Sequence, residues 1–217
     1  MALDELVHRT RPAAGDPEGA LVLMHGRGVD ENDLFGLLDI LDPDRRLAGF
    51  TPRAPLTPPG HTGNHWYVIQ RVGYPDPASF AESYGRLGRW LDAVAEETGV
   101  GAGRTVLGGF SQGAVMSQAT GLGVDRPHPA AIVALSGFVP TVDGWQPDLE
   151  GRRDLPVYVS HGVADQVIPV ELDRAARDLL EGNVDLTYRE TPAGHWIDPR
   201  TLDEVRAWIE QALDRAA

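Results

Sequence analysis

The sequence of 217 residues contains no cysteine and no long hydrophobic run. Without cysteine the chain can form no disulfide and has no thiol nucleophile, and its sequence does not indicate a redox compartment. The sequence contains no stretch of about 18 apolar residues, so it predicts no transmembrane helix. No cysteine–histidine cluster has metal-ligand spacing, so we expect no metal site.

Basic residues are also few, since the chain has 19 of them and 32 acidic residues, which gives a formal net charge of −13. This excess argues against nucleic acid and anionic membranes as partners. The acidic start, Met1 to Glu5, lacks the apolar core of a secretory signal, which predicts a cytoplasmic location. The length and the hydrophobic fraction of 42% are typical of one globular domain over residues 1–217.

The chain does contain a glycine–serine–glycine turn at residues 109–113. The turn follows a β-prone run at 105–108 and precedes a helix-compatible run at 114–119. In that context the Gly-x-Ser-x-Gly pattern indicates a nucleophile elbow, which holds the Ser111 hydroxyl clear of the sheet. A glycine-rich connection at a strand end is the competing interpretation.

A serine nucleophile needs a base, usually a histidine oriented by a carboxylate. In α/β-hydrolases the order along the chain is serine, acid, histidine. Asp165 and His195 follow Ser111 in that order, each on a loop after a strand-like segment, 157–160 and 184–189. Ligands of an open parallel sheet bind beyond the carboxyl ends of its strands, so we expect these three side chains to meet there.

Two alternatives compete with this assignment. Asp165 could cap a helix that starts near Val170, although Pro169 makes that cap awkward. Asp198 lies close to His195 and could orient it instead, but the Asp198-Pro199 pair favours a turn or a cap.

Four segments in this order resemble the phospholipase/carboxylesterase family of α/β-hydrolases, which includes acyl-protein thioesterases and small bacterial carboxylesterases. They are residues 25–30, 109–113, 161–169 and 194–195, and the resemblance runs from about residue 21 to residue 208. It implies that Ser111 is the nucleophile, Asp165 the orienting acid and His195 the general base and acid. It also raises a homodimer as an assembly to test.

An oxyanion hole should accompany such a nucleophile, because backbone N–H groups stabilise the charge of a tetrahedral intermediate. One donor should be Gln112, the residue after the serine, at the start of a helix. The second should come from the glycine-containing loop 25–28, and the resemblance implies the Arg27 N–H. Family members often carry an apolar residue at this position. Two roles for the Arg27 side chain therefore stay open: it points to solvent, or it attracts an anionic leaving group.

Strand and helix patterns alternate along the chain, which predicts an α/β fold with a mainly parallel sheet and helices on both faces. Helical spacing predicts a helix capped by Asp30 over residues 34–41, and others at 80–98, 171–181 and 201–213. About 20 residues, 137–156, separate two predicted strands, too few for a cap domain with its own core. We therefore expect the α/β-hydrolase fold with an open cleft.

The walls of that cleft can be predicted less directly. Long loops in compact domains often carry site residues, which makes Trp66 in the loop 51–77 a candidate for substrate binding. Phe138, Val139, Ile168 and Trp196 are further candidates, and ordinary packing explains each of the five equally well.

These patterns predict a serine carboxylester hydrolase that acts on short to medium acyl esters through an acyl-enzyme and needs no cofactor. An acyl thioesterase or a lysophospholipase would use the same residues. A non-catalytic α/β-hydrolase that binds a small ligand is the alternative from another class. Such proteins typically lack one of the three side chains, and all three are present here.

Overall fold

The computed structural model describes residues 3–215, which form a central sheet covered by helices. Met1 and Ala2, the beginning of the acidic start, lie outside these residues. None of the helices in residues 3–215 combines the length and the hydrophobicity that a membrane span requires.

Nine strands are present along the described chain. They are β1 (His8–Arg11), β2 (Gly19–Met24), β3 (Leu47–Pro52), β4 (Ile69–Arg71), β5 (Tyr74–Pro75), β6 (Thr105–Phe110), β7 (Ala131–Leu135), β8 (Pro156–Gly162) and β9 (Asp185–Thr191). Seven of them form one sheet in the order β1-β3-β2-β6-β7-β8-β9, while β4 and β5 form a separate hairpin. Only β1 runs antiparallel to its neighbour in the large sheet, which confirms the predicted mainly parallel sheet.

The central strands are buried on both faces, which explains their short continuous apolar sequences. Successive side chains point to opposite faces of a strand. In β2, Val22 and Met24 accordingly join one core cluster, while Leu21 and Leu23 join the other. The chain thus forms a hydrophobic core on each face of the sheet.

Helices cover both cores. They are α1 (Leu37–Leu41), α2 (Pro77–Thr98), α3 (Gln112–Leu122), α4 (Val170–Leu180) and α5 (Leu202–Arg215), with short 3₁₀ turns at Leu3–Glu5, Ala102–Arg104 and Pro199–Thr201. Helix α2 begins three residues before its predicted start, because Asp76 caps it by accepting from the Ser79 N–H and Pro77 fits its first position. Gly99, at φ 70°, ends the helix in the left-handed conformation.

The predicted start of the first helix is wrong. The Asp30 carboxylate accepts from the Asn32 N–H two residues ahead, so it closes a local turn and caps no helix. Residues 31–36 are all in turns, and α1 begins only at Leu37, after Gly36, which provides no side-chain cap.

No cap domain lies between β7 and β8. In this part of the described chain, residues 136–155 contain no helix or strand. The segment packs against α3, where the Trp145 indole donates to the Ala119 carbonyl and Arg152 donates to the Gly121 carbonyl. The carboxyl ends of the parallel strands therefore stay uncovered at this point, as predicted.

Candidate active site

Ser111 occupies a strained turn between β6 and α3. Its φ of 56° and ψ of −120° are unusual for a residue with a side chain. Strain of this kind persists only where the surroundings enforce it. Here the Ser111 N–H donates to the Leu135 carbonyl of the neighbouring strand at 3.0 Å, and every residue of α3 is buried.

The two glycines that flank Ser111 lie too close to neighbouring backbone atoms for any side chain to fit. A Cβ atom on Gly109 would overlap the backbone of Gly113, and one on Gly113 would overlap the Met24 carbonyl group. The small residues of the pattern therefore let strand β2, strand β6 and helix α3 meet at this turn.

Ser111, His195 and Asp165 form a continuous hydrogen-bonded row. His195 Nε2 lies 2.9 Å from Ser111 Oγ, and His195 Nδ1 lies 2.7 Å from Asp165 Oδ2. The other carboxylate oxygen, Oδ1, accepts from the Val167 and Ile168 N–H groups at 2.8 and 2.9 Å. The structure thus brings together the three side chains singled out from the sequence.

Hydrogen bonds keep the buried Asp165 carboxyl ionised. Burial alone would raise its pKa, but donation from His195 and from two backbone N–H groups outweighs this and lowers the pKa. A carboxylate at this place accepts a hydrogen bond from the His195 Nδ1–H and leaves Nε2 free to accept from serine. The Phe110 ring packs against the imidazole, with the ring centroids 4.9 Å apart.

The contacts in the structure differ from both alternative assignments. Asp198 accepts from the Arg200 N–H, pairs with the Arg200 guanidinium and caps the turn Pro199–Thr201. Helix α4 begins after Pro169 without any side-chain cap, so Asp165 does not cap it.

Two other histidines at strand ends bind backbone groups. His25 Nε2 accepts from the Ala54 N–H at 2.9 Å, and burial lowers the pKa of the His25 ring. His161 Nε2 lies 2.9 Å from the Ile168 carbonyl oxygen, to which it donates. The buried carboxylate of Asp173 lies on the opposite side of the His161 ring, 3.5 Å from Nδ1.

Arg27 and Gln112, the two expected oxyanion donors, line one cavity together with Ser111 and His195. Gln112 is the first residue of α3, so its N–H has no acceptor within the helix. The next residue after Arg27, Gly28, donates its N–H to the Asn64 carbonyl. Within residues 3–215 neither the Arg27 nor the Gln112 N–H is occupied by a protein acceptor, so both can donate to a bound oxygen.

This main cavity has a volume of about 550 Å³ and mostly apolar walls. Phe138 and Ile168 line it, as the sequence suggested. Val139 instead lines a neighbouring groove of about 620 Å³, which meets the main cavity at Gly73, Tyr74 and Phe138. Across the described chain, no group of three or more His, Asp or Glu side chains is arranged to hold a metal ion.

Trp66 and Trp196 differ from the prediction, since neither lines the cavity. Trp66 is fully buried beneath the loop, because its indole N–H finds an acceptor there, the His25 carbonyl at 2.9 Å. Trp196 is 58% exposed, and its ring folds over Gly194, where no side chain intervenes.

Sequence reasoning missed the apolar rim of the cavity. Ile69, Val72 and Tyr74 of the β4–β5 hairpin line it, together with Val29 and Val167. All five are exposed, between 37% and 54%. Large apolar residues in a long polar loop were the available signal, because exposed apolar clusters commonly mark binding surfaces.

Comparison with known proteins places this geometry in a family. A family model described as Phospholipase/Carboxylesterase matches residues 8–213. Acyl-protein thioesterase 1 of Yarrowia lipolytica is 32% identical, over 93% of this chain and 95% of that protein.

Solved structures agree with this match. The crystal structure of esterase PE8 superposes with a TM-score of 0.81 at 29% identity, over 95% of this chain and 99% of that chain. The Bacillus cereus carboxylesterase superposes with the same TM-score of 0.81 at 22% identity, over 95% of this chain and 94% of that chain. At that identity the second likeness supports the fold alone.

Proposed function

Since the chain belongs to the phospholipase/carboxylesterase family of α/β-hydrolases, we propose that it hydrolyses short to medium carboxylic esters through an acyl-enzyme on Ser111. Family membership supports an esterase or thioesterase activity. One observation carries the finer assignment, the hydrogen-bonded row from Ser111 through His195 to Asp165.

In the acylation step, Ser111 Oγ attacks the ester carbonyl carbon while its proton passes to His195 Nε2. The electron pair of the carbonyl double bond moves to oxygen, and the Arg27 and Gln112 N–H groups stabilise that charge. Asp165 stabilises the imidazolium that forms. Collapse of the intermediate breaks the bond to the leaving alcohol, which takes the proton from His195.

Deacylation repeats these steps with water. Water gives a proton to His195 as its oxygen attacks the acyl carbon, and Ser111 Oγ then leaves and recovers that proton. The products are a carboxylic acid and the free serine. Each step is a proton transfer or an acyl transfer, and each is carried by groups that lie in or around the main cavity.

A thioesterase or lysophospholipase activity is the second candidate, and the groove beside the main cavity favours it. The groove would extend the space for an acyl chain beyond Tyr74 and Phe138. The Yarrowia lipolytica relative is itself an acyl-protein thioesterase by name.

The test is hydrolysis of a p-nitrophenyl ester series from acetate to palmitate by the protein and by Ser111→Ala. We expect the highest kcat/KM at short to medium chains, and a loss in kcat on the order of 10⁴-fold or more in the variant. A palmitoyl thioester and a lysophospholipid tested alongside separate the second candidate. Undiminished hydrolysis by a folded Ser111→Ala protein would overturn the proposal.

A further inference from the structure

The main cavity is lined by positive charge without a carboxylate partner, whereas most arginines elsewhere in this acidic protein are paired. All 19 basic residues are arginines, and most of them pair with Asp or Glu. Arg27 and Arg71 both line the cavity, and within the described chain neither has a carboxylate at ion-pair distance. The Arg71 guanidinium instead stacks 3.6 Å above the Tyr74 ring.

Arg27 also lines a recess of about 150 Å³ that continues the main cavity; we call it the Arg27 recess. Its walls are Arg27, Pro58, His61, His65, Val68 and Ile69. Four of these residues, including both histidines, line the main cavity as well. A group bound near Ser111 can therefore extend into the recess without leaving the cavity.

Two polar side chains of the recess, Arg27 and His61, can supply hydrogen-bond donors. Arg27 Nη2 donates to His61 Nδ1 at 3.2 Å, which puts the proton of the neutral His61 ring on Nε2. Burial, together with the neighbouring charge of Arg27, lowers the pKa of the His65 ring. The Nε2–H of this neutral ring already donates to the Thr62 carbonyl at 3.2 Å, so His65 lines the recess without offering it a donor. The guanidinium keeps its remaining N–H groups and its full charge for a ligand.

The backbone around the recess is held in place. Gly28 donates to the Asn64 carbonyl at 2.9 Å, and Asn64 donates to the Val29 carbonyl at 2.8 Å. At Gly63, with φ at 62°, a Cβ atom would overlap the Gly28 carbonyl. The loop that carries Arg27 and the loop that carries His61 are thus joined by two hydrogen bonds at a point where only glycine fits.

One acidic side chain, Asp33, lines the main cavity in the described structure. Partial loss of hydration raises its pKa, which weakens its tendency to stay charged. Two unpaired arginines against one aspartate leave the lining positive, in a protein whose net charge of −13 repels anions elsewhere.

We propose that the preferred ester carries an anionic group, a carboxylate or a phosphate, a few bonds from its scissile carbonyl, and that the Arg27 recess binds this group. The inference rests on the proposed esterase function and specifies its substrate class. A planar guanidinium binds such groups through charge-assisted hydrogen bonds. The anionic group belongs either to the acyl half or to the leaving group, and two ester series distinguish these cases.

The experiment compares kcat/KM for charge-matched ester pairs. In the leaving-group series, 4-acetoxybenzoate is paired with 4-acetoxybenzamide. In the acyl series, the p-nitrophenyl monoester of adipate is paired with p-nitrophenyl methyl adipate, because the adipate carboxylate is too far along the chain to attack its own ester carbonyl readily. Each ratio is divided by the ratio of the hydroxide-catalysed rates, which removes differences in intrinsic reactivity.

Each pair is measured with the unmodified protein and with Arg27→Gln, Arg27→Lys and Arg153→Gln. Arg153 is an exposed arginine that lines none of the cavities described above, so its removal changes the net charge equally without touching the site. Arg27→Lys keeps the charge but loses the planar hydrogen-bonding fork.

We expect the anionic ester to be preferred by about 10-fold in one series, the size of a single charge-assisted hydrogen bond. Arg27→Gln should abolish the preference, Arg27→Lys should keep part of it, and Arg153→Gln should keep it in full. The preference should also shrink at 0.5 M salt, because the recess is open to solvent.

Equal rates within both pairs would overturn the inference, and so would the same preference in Arg27→Gln as in the unmodified protein. In either case hydrolysis of the neutral esters would leave the esterase function standing. If no ester in either series reacted faster than with Ser111→Ala, both proposals would fail together.

Discussion

Gln112 and Trp66 are joined by a hydrogen bond that ties helix α3 to the long loop beside it. The Trp66 N–H donates to Gln112 Oε1 at 2.9 Å, and Gln112 Nε2 donates to the Tyr67 carbonyl at 2.9 Å. All three residues are buried. One amide side chain therefore satisfies two backbone groups of the loop and fixes them to the residue that follows Ser111.

Gln112→Ala should lower both stability and activity. It leaves the Trp66 N–H and the Tyr67 carbonyl buried without partners, which costs about 3 kcal/mol of unfolding free energy. Without the Gln112 amide the loop should also shift relative to Ser111. This shift should lower kcat/KM by on the order of 10-fold, because small displacements of groups around a reacting centre reduce the rate. Urea denaturation and ester kinetics measure the two effects.

Gln118→Ala is the matched control for this prediction. Gln118 is fully buried in the same helix, but its amide makes only a long contact of 3.4 Å to Ala114 within that helix. Its loss should leave kcat/KM within about twofold, since it creates a space without releasing the loop. Equal loss of kcat/KM in both variants would refute the role of the Gln112 bridge.

Asp165→Asn should lower kcat by on the order of 10³ to 10⁴-fold with little change in fold. An amide cannot favour the His195 tautomer that leaves Nε2 free to accept the proton of Ser111. Asp198→Asn is the control, because Asp198 pairs with Arg200 and caps a turn. A larger loss of kcat in Asp198→Asn than in Asp165→Asn would reverse the assignment.

His161 and Asp173 predict a pH-dependent contribution to stability. Burial alone would lower the pKa of His161, but the Asp173 carboxylate, the Ile168 carbonyl and Asp165 outweigh this and raise it. A raised pKa means that the charged ring stabilises the fold fully below its unfolded value of about 6.5. That contribution is lost as the pH rises through the folded value.

His161→Gln should therefore be most costly in mildly acidic solution. At pH 6 it leaves Asp173 buried without its cation, which should cost about 3 kcal/mol or more. The unmodified protein loses this contribution as the pH rises through the folded value, so the difference between the proteins should narrow from pH 6 towards pH 9. Urea titrations at both pH values measure it, with the exposed His128→Gln as control. A difference that widens with pH would contradict the charged pair.

Tyr74→Ala should shift the ester preference towards longer acyl chains. Tyr74 separates the main cavity from the neighbouring groove and is 43% exposed, so the fold should tolerate its loss. Each methylene that becomes buried in the joined space should raise kcat/KM about fourfold. Tyr74→Phe keeps the ring and should keep the original profile. A p-nitrophenyl ester series checks both variants, and an unchanged optimum in Tyr74→Ala would show that the groove takes no acyl chain.

Sequence could predict those parts of the molecule that local physics determines. The mainly parallel sheet follows from strands that are apolar throughout, because both of their faces are buried. The meeting of Ser111, Asp165 and His195 follows from their places after successive strands, since parallel strands end at the same edge of the sheet. The glycines at 109 and 113 also follow from a local constraint, because a Cβ atom at either position would overlap neighbouring backbone atoms.

The cavity walls depend on tertiary contacts that no local pattern specifies. Trp66 lies beneath the loop because a carbonyl from another strand end accepts its indole N–H. The β4–β5 hairpin has only three and two residues per strand, too short for a clear alternating pattern. Asp30 closes a turn because its carboxylate meets the N–H two residues ahead before any helix begins.

The central claim is that Ser111 is an activated nucleophile, and covalent labelling by a fluorophosphonate tests it most directly. Intact-protein and peptide mass spectrometry would follow the label on the unmodified protein, on Ser111→Ala and on His195→Gln. We predict one label per chain, on the peptide that contains Ser111, with none on Ser111→Ala and much slower labelling of His195→Gln. A folded, unmodified protein that stays unlabelled, or a label that persists in Ser111→Ala, would contradict the claim.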